Sequence, residues 1–120
     1  MATFSAEELN ESGIATLTYN VASETGDDFA NSGSTFIAVN NEGGETITLT
    51  VTAQDTSIES PIYGTLSKAN ASLIVLAGRI GFIGPFKPPA YNNGSGNVEI
   101  TYSTHTSVSV AVVTLATGTI

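Results

Sequence analysis

The sequence predicts an all-β fold, a sandwich or barrel of about eight strands. Three observations lead there. Apolar and polar residues alternate with a period of two in several stretches. Turn-forming residues interrupt those stretches every ten or so positions. No strand–helix alternation of the α/β kind runs along the chain.

Taken in order, the first thirteen residues are the least strand-like. Ser5-Ala6-Glu7-Glu8 matches a capping box that would open a short helix before Gly13, but an extended N-terminal arm over residues 1–13 fits better, with one domain over 14–120. Ile14 to Val21 alternates weakly. Thr25-Gly26-Asp27-Asp28 and Asn31-Ser32-Gly33 are turn sequences on either side of Phe29. Thr35 to Asn40 is apolar on both faces, which suits a central, covered strand. Asn40-Asn41-Glu42-Gly43-Gly44 has the composition of a hairpin turn. Glu45 to Ala53 is the clearest strand: Ile47, Leu49, Val51 and Ala53 face one way, four threonines the other. Ser72 to Leu76 and Arg79 to Ile83 are shorter strands about the tight turn at Ala77-Gly78. Pro85, Pro88 and Pro89 make Gly84 to Ala90 an extended, non-helical stretch. After the Gly/Asn loop at residues 92–97, Val98, Ile100 and Tyr102 alternate with Glu99 and Thr101. Ser103 to Ser107 reads as a hairpin turn before the last strand, where Val108, Val110 and Val112 share one face.

Composition narrows the function classes. The chain has 120 residues, 41% hydrophobic and only 12% charged, with 13 Ser and 17 Thr. That is too apolar for disorder and long enough for a core without staples. With no Cys, disulfides and thiol chemistry are excluded. Three Lys and Arg against eleven Asp and Glu give a net charge of −8. Phosphate backbones and anionic membranes repel such a chain, so neither nucleic acid nor membrane is an expected partner. No signal peptide or spanning segment is legible, and synthesis in a cytoplasm is expected. Charge is uneven: residues 1–60 carry ten acids and no base, residues 61–120 three bases and Glu99. Such asymmetry marks either two faces with different roles or acidic loops that keep the protein soluble.

Reactive constellations are sparse. His105 is the sole histidine and has no nucleophile motif beside it. Asp27, Asp28 and Asn31 could offer oxygens to a hard cation, but a Gly/Asp-rich turn explains them without metal, and no cofactor is expected. Gly43-Gly44 and Gly94-Ser95-Gly96 lack the Lys-Ser/Thr of a phosphate loop. Tyr63, Tyr91 and Tyr102 could stack on sugars, yet they fall at dissimilar positions and no Trp accompanies them. What remains is broad sheet surface bearing Thr, Ser and Val, the low-charge composition of interface centres. With two Lys in the whole chain, edge strands must be short or covered by another subunit.

The order of several segments resembles a known family. The run Gly26 to Asn41, then Gly43-Gly44 and the Thr-rich strand, is followed by Ala77-Gly78, Ile83-Gly84-Pro85-Phe86 and Tyr91-Asn92. The chain closes with Gly96 to Ser103 and Thr106 to Ala111. Over about residues 14–113 this resembles the small all-β head structural proteins of tailed bacteriophages, several of which are capsid decoration (cement) proteins. The resemblance implies an antiparallel, jelly-roll-like β-sandwich on the outer surface of an icosahedral capsid. It implies a homo-oligomer, a trimer before a dimer, bridging copies of the major capsid protein in the virion with no enzymatic step. On that basis the N-terminal arm, through Phe4 and Leu9, and the rigid apolar segment Pro85, Phe86, Pro88, Pro89 and Tyr91 are the candidate capsid or subunit contacts. Alternatively, Phe86 plugs the end of the sandwich. A carbohydrate- or receptor-binding module on the virion is the competing function.

Overall fold

The computed structural model describes residues 2–54, 58–60, 64–66 and 69–116. The strands are β1 (Thr3–Phe4), β2 (Ala6–Leu9), β3 (Asn20–Val21), β4 (Asp27–Ala30), β5 (Thr35–Asn41) and β6 (Ile47–Val51). They continue with β7 (Ile58–Ser60), β8 (Gly64–Leu66), β9 (Ala71–Val75), β10 (Ile80–Ile83), β11 (Asn97–Tyr102) and β12 (Val108–Leu115). A single helical turn, α1 (Pro88–Tyr91), precedes β11.

The architecture is a β-sandwich of two five-stranded sheets. The first has the order β1-β4-β11-β6-β9. The second has the order β10-β5-β12-β2, with β3 pairing β12 beyond the end of β2. β7 and β8 form a separate two-stranded ribbon. Period-two alternation builds the core. Ile47, Leu49 and Val51 of β6 meet Ile37 and Val39 of β5 and Val108, Val110 and Val112 of β12, and all of these are at most 2% exposed. The threonines of β6 turn outward and are half-buried. The second sheet is apolar on both faces: Ala38, Ala111 and Val113, in register with Phe82 and Phe36 away from the core, are also buried. The 10–19 connection is tied to that face, where the Thr18 N–H donates to the Glu7 carboxylate at 2.6 Å.

Several expectations are corrected. Residues 3–9 do not stand off as an arm: β1 joins the first sheet and β2 the second, so the N-terminal segment straps the two together. Both of its pairings are parallel, unlike the antiparallel rest of the sandwich. A strand far in sequence from its partner is joined to it by no tight turn, so its direction is free. The loops at residues 40–44 and 103–107 are not hairpins, because each carries the chain from one sheet to the other. Gly84 to Ala90 is not wholly extended. Pro88 and Pro89 occupy the first turn of α1, where a missing N–H costs nothing, and the Asn92 N–H closes the turn on the Pro88 carbonyl.

Buried polar residues hold the ends. Asn41 is fully buried between the β5–β6 and β9–β10 loops. Its amide donates to the carbonyls of Glu45 (2.7 Å) and Val75 (3.1 Å) and accepts from the Gly43 N–H. Asn31 does the same at the opposite end, donating to the Phe86 carbonyl and to Asn92. Among the described residues, each buried side-chain nitrogen and oxygen has a partner.

Candidate interaction surface

The segment singled out from the sequence, residues 84–91, leaves β10 at the edge of the second sheet and crosses the end of the sandwich to β11. Gly84 starts the crossing at φ +127°, with a cis bond to Pro85. A Cβ at Gly84 would lie 2.7 Å from Phe36 Cβ and 2.8 Å from its Cα, so only glycine fits against β5 here. The chain then turns inward. Phe86 is 3% and Tyr91 7% exposed. The Phe86 ring centroid stands 6.0 Å from that of Phe29 and 5.6 Å, edge-on, from that of Tyr91. Phe4, 6% exposed and in register with Phe29, joins the same core.

Three of the predicted contact residues, Phe4, Phe86 and Tyr91, therefore do come together, but inside the molecule. The loop presents Pro85, Lys87 and Pro89 to solvent, with Pro88 half-buried. Leu9 is half-buried opposite Leu115, across the second sheet from the loop. A cleft of about 390 Å³ lies against the loop, lined by Ala71, Ile83, Pro85, Phe86, Lys87 and Tyr91. A second, of about 480 Å³, opens at the other end and is lined by Asn41, Gly43, Glu45, Ile47, Thr104 and Thr106 among others.

Residues missed by the sequence reading lie elsewhere on the surface. Among the described residues, Val21 (80% exposed), Ile74 (66%), Phe82 (60%), Leu76 (59%), Ile80 (52%) and Leu115 (43%) are the large apolar side chains that face solvent. Ile74, Ile80 and Phe82 sit on the edge strands β9 and β10, but Ile74 faces out from the first sheet and Ile80 and Phe82 face out from the second. Gly81 lets the two strands approach, since a Cβ there would press within 3.1–3.2 Å of Leu73 and Val75. Both segments read as strands from the sequence, but not that both lie at sheet edges.

The weighed polar residues take structural positions. Asp27 and Asp28 point to opposite faces of β4, as period two requires. Asp27 is fully buried. Its carboxylate accepts from the N–H groups of Ala2 and Ser23, both at 2.9 Å, and from the Tyr102 hydroxyl at 2.7 Å. Burial opposes its ionisation, but these hydrogen bonds outweigh burial and hold the carboxyl below its ordinary value. Burial first, and then the Asp27 carboxylate, push the Tyr102 phenol far up, so it stays a donor. Asp28 instead accepts from Thr3 and Asn97 on the outer face. His105 is half-buried in the β11–β12 loop, where its carbonyl accepts from the Val108 N–H. Tyr63 and Lys68 lie outside the described residues. Among the described residues, no helix is long and apolar enough to cross a membrane.

Set against protein-family models, curated proteins and solved structures, the chain matches none of them.

Proposed function

We propose that the chain is a structural virion protein, a capsid decoration (cement) protein. In this reading it binds the exterior of an icosahedral phage head as a homo-oligomer, a trimer, and bridges copies of the major capsid protein. The work is mechanical. Surface buried in the bound state lowers the free energy of the decorated shell relative to the bare one, and a symmetric oligomer repeats each modest contact around its axis. No bond is made or broken.

One observation carries this reading. Of the exposed large apolar side chains, Val21, Ile80, Phe82 and Leu115 lie on the outer face of the second sheet, an open sheet face rather than a concave site. The cleft-side loop adds Pro85 and Pro89, which lose little freedom on docking. A carbohydrate-binding module draws less support, because Tyr91 packs in the core and Tyr102 is engaged by Asp27.

The test is direct. Heads of the encoding phage, prepared without this chain, are mixed with the purified protein and imaged by cryo-electron microscopy. Density of this size at fixed positions on the shell exterior, with heads that withstand heating longer, is the expected result. Bare shells at saturating protein would overturn the proposal.

A further inference from the structure

The edges of the two sheets are not alike. β1 and β3 present two residues each, and β2 carries Glu7 and Glu8. β9 and β10, the terminal strands at the other ends, hold no charged residue. Natural edges are blunted by charge, proline or shortness, because an edge offers unpaired N–H and C=O groups to any extended strand. In β10 those groups can be assigned. The Asn41 N–H donates at 3.0 Å to the carbonyl of Arg79, which lies opposite it one step beyond the Ile80–Asn40 pair, so Arg79 and Asn41 form a hydrogen-bonded pair of the antiparallel ladder. Alternation makes Gly81–Val39 and Ile83–Ile37 the next such pairs, and turns the N–H and C=O of Ile80 and Phe82 away from β5. No strand pairs with them on that side among the described residues. The side chains of the same two residues are 52% and 60% exposed, both on the outer face of the sheet. On β9, by contrast, Ile74 shares its outer face with Ser72.

We infer that β10 pairs antiparallel with β10 of a second copy of this chain, about a two-fold axis at Gly81. In this register Gly81 faces the partner's Gly81, and each Ile80 faces the partner's Phe82. Opposed residues of an antiparallel ladder share a face, so the exposed Ile and Phe side chains cover each other on both sides of the axis. These are also the residues whose N–H and C=O point outward, and each Ile80–Phe82 pair exchanges two hydrogen bonds. Arg79 comes opposite the partner's Ile83, so no charge faces another charge along the ladder. One strand serves both copies, as an isologous contact requires. The inference goes beyond the decoration reading and does not need it: in a trimer each copy still keeps one β10 edge, and pairing joins two trimers.

Sedimentation of the full chain tests it, with Phe82→Pro as the edge variant. Proline removes the outward N–H, which β5 does not use, and edge strands tolerate it there. The fold is therefore expected to persist, with circular dichroism as the check. Should that variant unfold, Ile80→Lys replaces it. Wild type is expected at twice the mass of the edge variant, a dimer against a monomer or paired trimers against a trimer. Val21→Lys, on the same sheet face but away from β10, is expected to keep the wild-type mass. Amide hydrogen exchange of wild type, read by NMR, needs no variant and is expected to find Ile80 and Phe82 protected. Three results would each overturn the inference: equal masses for wild type and edge variant, rapid exchange at Ile80 and Phe82, or a mass halved by Val21→Lys as well, the mark of packing through the whole sheet face. Head binding is scored separately. A doubled mass without decoration would end the decoration reading and leave the strand pairing standing, and decoration by an unpaired protein would do the reverse.

Discussion

At Asp27 a single side chain closes several parts of the fold at once. Its two oxygens accept from the N-terminal strap, from the turn before β4 and from β11. A carboxylate is acceptor-only, so three converging donors suit it and no neutral isostere. Asp27→Asn must turn an amide NH₂ toward at least one of those donors. The expected loss is on the order of 2–3 kcal/mol, the cost of leaving a buried donor facing the wrong partner, and denaturant unfolding measures it. The pH dependence has a definite sign. The folded carboxyl titrates below its ordinary value of 3.8, so the unfolded chain binds the proton first. The stabilisation is complete above that value and is lost as pH falls through the lower folded one. Unfolding midpoints of wild type and Asp27→Asn should differ by a constant amount near neutrality and converge in acid. A gap that persists unchanged in acid would show that the charge on Asp27 is not what stabilises the fold.

Strands are where the sequence was most and least legible. β5, β6, β11 and β12 carry unbroken period-two or two-faced apolar patterns, and the structure places them centrally in the two sheets. β4 was hidden because its pattern begins with two aspartates, residues depleted in strands. The donors around Asp27 make that position tolerable, and two of the three, the Ala2 N–H and the Tyr102 hydroxyl, arrive from distant sequence. β1 and β2 were hidden for a related reason. Each is short, and Glu7, Glu8 and the small alanines describe a solvated arm as well as an edge strand. Turn chemistry was recognised at 40–44 and 103–107, but which sheet the next strand joins is decided by the core, not by the turn. The loop at 84–91 was recognised as rigid and apolar, yet the inward direction of Phe86 follows from contact with Phe29 and Tyr91, which no local pattern encodes. The strap yields its own prediction. Removing residues 2–9 deletes β1 and β2, takes Phe4 from the core and exposes one edge of each sheet. Burial of a Phe side chain alone accounts for roughly 3 kcal/mol. The truncated chain is expected to melt at a clearly lower temperature and to aggregate through its bared edges. A melting temperature equal to that of the full chain would mean that the strap is not part of the stable fold.

Across the whole molecule, stability and adhesion divide by direction within the same loop. Phe86 and Tyr91 point into the core, while Pro85 and Pro89 face out beside the cleft. If the decoration reading holds, substitutions on the two sides must separate in their effects. Phe86→Ala opens a cavity beside Phe29 and Tyr91, and about 3–5 kcal/mol of stability should go with it. The fraction that stays folded keeps its outer surface and should still bind heads with nearly unchanged affinity. Pro85 and Pro89 behave in the opposite sense. A Pro89→Glu change touches an exposed position at the first turn of α1, where a carboxylate is tolerated, so stability should hold within about 0.5 kcal/mol. Placed in a desolvated contact, the same charge should weaken head binding by about tenfold or more. Paired measurements on each variant, thermal unfolding and co-sedimentation with bare heads, give four numbers that must fall in that crossed pattern. Equal loss of binding in both variants would place the loop's contribution in the fold alone.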